Sequence, residues 1–381
     1  MTKNKSPLLF LISTLIIVGI IFISISSLTE ANNTVGDKFF FLKKQSLWLF
    51  ISLVSFYIFS KINLKKIQKF IFPLYIFSLI ALLLVIIPGL SDQTLGAHRW
   101  LNLGFIKFQP SEVSKFTLVL FLSLLFSQEK NLNLKSLIFY LGVPFLLIII
   151  EPNLSTAILI SAISISLYYI AGGKLTSLLL FCFSLAALSF ILIITSPYRS
   201  ARLKTLINPQ ENQESASYHS NQIVLTLSSG SFFGKGLANS DQKYRFLPKI
   251  STDSILAIIG EETGFIGLFL VIFIYIKLIT HLFTTSRQIK DKFQSLFVSG
   301  VALWISFQSL INITAIAGLI PLTGVPLPLV SYGGSSLLTL MSAIGIVHNI
   351  EKNNPNLLYS NNEPQKRKKD RHHRHSSHSR S

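Results

Sequence analysis

Cysteine occurs once and methionine twice in this chain of 381 residues, and only 13% of the residues are charged, against about 25% in an ordinary soluble domain. The lone Cys182 lies inside an apolar run, which excludes an intramolecular disulfide and a thiolate metal site. Half of the residues are hydrophobic and the mean hydropathy is +0.55. That balance excludes a disordered regulator and argues against a soluble globular enzyme. Acidic residues are scarcer than basic ones, 16 against 34. The resulting net charge of +18 would suit a nucleic-acid binder. However, seven of the Lys and Arg fall in the last 16 residues and many others sit between apolar runs. That is the pattern of basic loops on a membrane protein, so no nucleic-acid partner is expected. The chain shows no internal repeat.

What is abundant is long apolar sequence. A spanning helix needs about 20 mostly apolar residues. Ten segments qualify: roughly 8–28, 45–60, 70–88, 112–127, 136–150, 154–171, 175–196, 254–280, 296–320 and 331–350. The fifth and sixth are short and separated only by Glu151-Pro152-Asn153, so they are either one kinked helix or two with a tight turn. The predicted fold is therefore all-α and polytopic, with about ten transmembrane helices and a large extracytoplasmic segment between the seventh and eighth. The first span follows Met1-Thr2-Lys3-Asn4-Lys5 but is too long for a signal-peptide core, so it reads as a retained anchor. With the N-terminus inside, Lys61, Lys65, Lys66, Lys69, Lys130, Lys135, Lys174, Arg287, Lys290 and Lys292 face the cytoplasm. Lys38, Lys43 and Lys44 in the first outer loop go against that bias. An even count of spans places both termini in the cytoplasm. Residues 1–350 form the expected membrane domain, and 351–381 form a basic, His-rich tail too polar to fold.

Three polar clusters interrupt the apolar runs. The outer segment, about 197–253, holds an amphipathic stretch from Ser217 to Ser228, then Gly230-Ser231-Phe232-Phe233-Gly234-Lys235-Gly236, and it ends at Thr252-Asp253 before an apolar helix. Asp253 is either a helix cap or a carboxylate that accepts a proton or holds a cation. Glu261 and Glu262 lie two turns into that helix, where acidic groups need partners. Gly260, Gly264 and Gly267 have the spacing of a close helix contact. The second cluster is Gly96-Ala97-His98-Arg99-Trp100 followed by Gln109-Pro110-Ser111-Glu112-Val113-Ser114-Lys115. Glu112 and Lys115 share a helical face. Arg99 beside Trp100 suits an interfacial anchor or a phosphate ligand. The third runs from Pro321 to Ser336, with Pro326, Pro328, Ser331, Gly333 and Gly334. Its three prolines force irregular backbone, tolerated at membrane depth only where it is buried in protein or lines a cavity. Together these clusters describe an outward-facing site with one acid and the cations Arg99, Lys115, Arg199, Arg202, Lys243 and Arg245. A phosphate-bearing amphiphile suits that mixture.

At these same residues the chain resembles the SEDS family (shape, elongation, division and sporulation), whose branches include FtsW, RodA and SpoVE. Gly96-Ala97-His98-Arg99-Trp100 is similar to its G-A-x-R-W, Gln109 to Lys115 to its Q-P-S-E-x-x-K, and Leu327 to Ser336 to its L-P-x-x-S-Y-G-G-S-S. Pro197-Tyr198-Arg199 and Gly236 to Lys243 resemble the FtsW branch more than the RodA branch. The resemblance implies a peptidoglycan glycosyltransferase of the cell membrane that polymerises lipid II and works with a class B penicillin-binding protein transpeptidase among other divisome or elongasome proteins. It implies Asp253 as the catalytic carboxylate, acting as base or holding a divalent cation (Mg or Mn). Arg99, Trp100, Glu112, Lys115, Arg199, Lys243, Ser331, Gly333 and Gly334 become the candidate substrate-binding residues. Departures surround Asp253: Lys249, Ser251, Ser254 and Leu256 stand where the family usually has Glu, His, Phe and Phe, and Asn153 and Ser155 replace Asp and Gly. The rival expectations are an elongation polymerase, a lipid II flippase and a non-catalytic transpeptidase scaffold.

Overall fold

The structure, a computed structural model, describes residues 6–195, 200, 215–237 and 252–354, apart from 88, 95, 96, 103, 105, 106, 130 and 131. Helices occupy all ten predicted apolar segments. They are α1 (Pro7–Val35), α2 (Phe40–Lys61), α3 (Leu64–Ile86), α4 (Pro110–Gln128), α5 (Leu134–Ile150), α6 (Leu154–Ile170) and α7 (Leu175–Ile194), then α9 (Ile255–Gln288), α10 (Lys292–Ile316) and α11 (Gly334–Asn353). The amphipathic stretch of the outer segment forms α8 (Ser215–Ser229). By length and apolar composition alone, five described helices are sufficient to cross a membrane: α3, α4, α9, α10 and the Pro7–Ser26 part of α1. Residues 355–381, the proposed tail, lie outside the described residues.

Two features go beyond the sequence reading. The fifth and sixth segments are separate helices, joined by a turn at Glu151-Pro152. Asn153 caps α6 by accepting from the Thr156 N–H at 3.4 Å. The segment between α3 and α4 is not irregular. It holds a small antiparallel sheet of order β1 (Ser91–Thr94), β2 (Ala97–Asn102) and β3 (Lys107–Phe108). Asp92 pairs with Trp100, and Leu101 with Phe108. Short strands with local partners leave little periodicity to read.

Between helices in a bilayer there is no hydrophobic gain, so packing depends on close fit. Glycines provide it here. A Cβ at Gly345 on α11 would lie 2.6 Å from the Phe56 carbonyl of α2, and one at Gly300 on α10 would lie 2.6 Å from Val119 on α4. The centre of the bundle is α4 with α10, whose most apolar windows are 78% and 72% buried, whereas that of α9 is only 22% buried. Trp304, Phe126, Phe297, Tyr75 and Tyr168 are the large side chains enclosed in the core. The polar clusters therefore project from central helices and from the rim of one end of the bundle.

Candidate functional site

The segment after α10 is the scaffold of the site. From Val325 to Ser331 its residues are buried except for partly buried Pro326, as irregular backbone at membrane depth requires. Ser331 folds it locally: its Oγ accepts from the Leu327 N–H at 2.9 Å, and its own N–H donates to the Leu327 carbonyl at 3.0 Å. Three helices clasp it from outside. The Tyr275 hydroxyl of α9 donates to the Pro328 carbonyl. Gly19 of α1 lies so close that a Cβ there would sit 2.6 Å from the Val330 oxygen. On α10, Gln308 Nε2 donates to the Pro326 carbonyl at 2.8 Å, and Asn312 Nδ2 donates to Val325 at 2.8 Å.

Gln308 and Asn312 are four residues apart and so share a helical face. They connect three parts of the site. Lys115 Nζ, nearly fully buried, pairs with Glu112 at 2.8 Å, donates to Gln308 Oε1 at 3.1 Å and lies 5.3 Å from the Trp304 ring centre. The Trp304 indole N–H donates to the same Gln308 oxygen at 2.7 Å. One turn further along α10, Asn312 Nδ2 also reaches the Asp253 carbonyl at 3.1 Å. The buried ion pair, the proline-rich segment and the backbone of Asp253 therefore belong to one hydrogen-bonded frame. Sequence reasoning missed both amides. Two of them four residues apart in an apolar helix were the available signal.

Asp253 does not cap α9. The cap position is Ser254, which makes no side-chain cap bond. The Asp253 carboxylate accepts from the Thr252 hydroxyl, and its Oδ2 would lie 3.7 Å from a Cβ at Gly324, an exposed position. Asp253 is only partly buried, so it stands at the mouth of the bundle. Ser254 Oγ and Asn312 Oδ1 beside it are buried without a hydrogen-bond partner among the described residues. Those residues hold no group of three or more His, Cys, Asp or Glu suited to a metal. One carboxylate fits a divalent cation that also binds the phosphate oxygens of a substrate, as Mg2+ commonly does.

The other candidates are distributed around this mouth. Arg99 on β2 donates to the carbonyls of Glu151 and Pro152, at 3.4 and 2.5 Å, pinning the sheet to the α5–α6 turn. Burial pushes the Glu151 carboxyl up to about 8, with Arg99 opposing. Trp100, partly buried, follows Arg99 on the same strand. Gly334 is a packing site, since a Cβ there would lie 2.1 Å from the Trp48 ring of α2. Gly333 has extended backbone, φ 176°, and room for a Cβ. Gln109 N–H donates to Ser335 Oγ at 3.1 Å, tying the start of α4 to that of α11. Arg199, Arg202, Lys243 and Arg245 lie outside the described residues.

A second assembly holds α9 itself. Helical geometry breaks at Gly264, φ 67° and ψ −165°. The freed backbone groups are met by the glycine-rich segment after α8. Lys235 and Gly236 N–H donate to the Glu261 and Glu262 carbonyls at 2.9 and 3.0 Å, and Phe265 N–H donates to Ser231 O at 3.0 Å. Glu261, fully buried, pairs with Lys235 at 2.8 Å and accepts from Ser229 at 3.2 Å. Gly264 thus makes a close contact with this segment and Gly260 one with Leu227 of α8, while a Cβ at Gly267 would meet the Thr263 side chain of its own helix.

This is a polytopic helical membrane protein with a polar mouth at one end, and its relatives share that architecture. A family model described as "Cell cycle protein", that of FtsW, RodA and SpoVE, matches residues 6–356, and the chain belongs to that family. A probable peptidoglycan glycosyltransferase FtsW of Wigglesworthia glossinidia brevipalpis is 34% identical over 351 residues, covering 89% of this chain and 91% of that protein. Among solved structures, one concerning polymerization and crosslinking by a peptidoglycan synthase complex has a TM-score of 0.77 at 25% identity, over 93% of this chain and 99% of that one. The Thermus thermophilus rod shape determining protein RodA shares the fold, with a TM-score of 0.68 at 23% identity over 92% of this chain and 98% of its own.

Proposed function

We propose that this chain is a peptidoglycan glycosyltransferase of the FtsW kind, joining lipid II units into glycan strands during septal wall synthesis, with Asp253 as its catalytic carboxylate. The observation that carries the assignment of Asp253 is its placement: a partly exposed carboxylate at the mouth, its backbone held by Asn312. The GlcNAc 4-hydroxyl of the incoming lipid II attacks the anomeric carbon of the growing strand. A new C–O bond forms there, the bond to the pyrophosphate breaks, and undecaprenyl pyrophosphate leaves with inversion. The hydroxyl proton passes to the Asp253 carboxylate. If a divalent cation comes with the substrate, it would add charge to stabilise the leaving pyrophosphate, held by Asp253.

Lys115 and Glu112 act through the frame that holds the proline-rich segment, because both are enclosed. Arg99 holds β2 on the α5–α6 turn and adds its charge to the mouth from there, Trp100 lies beside it, and Arg199 and Lys243 complete the cationic surround for the phosphates. Ser331, Gly333 and Gly334 shape the backbone against which the lipid-linked sugar lies. The outer segment, about 197–253, is extracytoplasmic, both termini are cytoplasmic, and all ten long helices cross the membrane. A class B penicillin-binding protein crosslinks the strands that this chain makes, alongside other divisome proteins.

The test is polymerisation of labelled lipid II by purified protein, with and without its transpeptidase and a divalent cation. Wild type forms glycan and Asp253→Asn, with an unchanged melting temperature, forms none. Substantial polymer from the variant would remove Asp253 from the mechanism.

A further inference from the structure

At the end of the bundle away from Asp253, a groove of about 290 Å³ opens between α1 and α9. Pro7 and Leu11 form one wall, and Lys277, Thr280, His281 and Thr284 form the other. Beneath it, Glu351 of α11 is buried and already engaged, by His281 Nε2 at 2.8 Å and by the Ser6 hydroxyl at 2.6 Å. The Thr280 and Thr284 hydroxyls donate back to carbonyls of their own helix. The charge presented to the groove is therefore that of Lys277. This side chain is exposed, and its one described contact is the Phe273 ring, 5.2 Å away.

The depth of Lys277 matters. It lines the groove together with Pro7, the first residue of α1, so it lies level with the end of that membrane helix, where hydrocarbon gives way to headgroups. An exposed ammonium at that boundary is costly unless it reaches water or an anionic headgroup. Above it on the same face, Phe273, Phe269 and Phe265 form an exposed ladder with ring centres 6.3 and 6.5 Å apart. Below it, Arg287, Lys290 and Lys292 are exposed with only Asp291 among them.

We infer that this groove binds an anionic diacyl phospholipid, its headgroup phosphate on Lys277 and an acyl chain along Phe273 and Phe269. The arrangement combines a cation at headgroup depth, an apolar track leading from it into the bilayer, and a basic surround that favours anionic over zwitterionic lipid. The inference rests only on the chain spanning a membrane and is independent of its chemistry at Asp253.

The experiment uses the full-length protein in detergent, titrated with dioctanoyl phosphatidylglycerol or dioctanoyl phosphatidylcholine, with bound lipid counted by native mass spectrometry. Wild type should retain the glycerol lipid about fivefold over the choline lipid, the preference one lysine supplies. Lys277→Gln should abolish the preference with an unchanged melting temperature. Lys277→Arg and Lys290→Gln should keep it, and inorganic phosphate at equal concentration should not displace the lipid. Equal retention of the two lipids by wild type, or a preference that survives in Lys277→Gln, would overturn the site. An equal loss in Lys290→Gln would overturn it in favour of diffuse surface charge. Displacement by phosphate would overturn the diacyl lipid as occupant.

Discussion

Two lysine–glutamate pairs lie among the described residues, each with a contact of 2.8 Å, and their surroundings separate them. Lys115 and Glu112 have side chains only 1% and 5% exposed, whereas Lys235 is 30% exposed over a Glu261 that is fully enclosed. The first pair sits within one helix and extends through Gln308 to the proline-rich segment. The second pair crosses between a glycine-rich segment and a broken helix. A buried pair gains little net stability over an apolar replacement, yet leaving one member alone is expensive. Where one member is wet, removing its enclosed partner leaves a charge that water can solvate and costs far less. The same chemistry thus makes a fixed strut in one place and a releasable latch in the other. Glu151 is another buried acid, with neither carboxylate oxygen hydrogen-bonded among the described residues.

The largest effect should come from breaking the strut. Glu112→Gln strands the Lys115 charge and should cost about 3–5 kcal/mol in thermal unfolding. The double variant Glu112→Gln/Lys115→Met should recover most of that, and no recovery would show that the pair is more than a strut. Next comes Glu151, whose folded pKa of about 8 lies above its ordinary 4.5. Between those values the folded state holds a proton that the unfolded state has lost. Stability should therefore fall as pH rises from about 4.5 to about 8, by at most about 1.4 kcal/mol per unit. Glu151→Gln should flatten that slope in melting curves across this range. Gly264→Ala tests what the latch holds: the positive φ alone should cost about 1–3 kcal/mol, read as a lower melting temperature. Smallest is Glu261→Gln, which removes the enclosed acid and leaves the part-exposed Lys235 to water, at about 1 kcal/mol. A loss there matching that of Glu112→Gln would erase the distinction between latch and strut.

The ten helices were legible because each is a long apolar run, and every predicted segment overlaps its helix. The clustering of the three motifs at one mouth was also legible, since loops at alternate turns of a bundle meet at one end. The frame was not. It depends on Gln308 and Asn312, whose spacing in an apolar helix marks them as polar contacts but whose partners lie on other elements and cannot be read from that spacing. The position of Asp253 suited a cap, and only the geometry shows Ser254 in that place. The motif glycines mislead in a similar way. Gly334 meets Trp48, 286 residues earlier in the chain, a proximity invisible in spacing. Gly260 and Gly264 resemble a motif that pairs spanning helices, but Gly260 meets the amphipathic α8 through Leu227 and Gly264 admits the loop after it.

The break at Gly264 has a consequence for how the protein is made. Backbone groups freed inside a bilayer must find partners within the protein. Here the partners, Ser231 to Gly236, precede the broken helix in the chain. They leave the ribosome first, before α9 arrives to be inserted. The order of synthesis thus supplies the splint before the fracture, and moving that segment to the far side of α9 in a permuted gene would leave the helix to enter the bilayer unsupported.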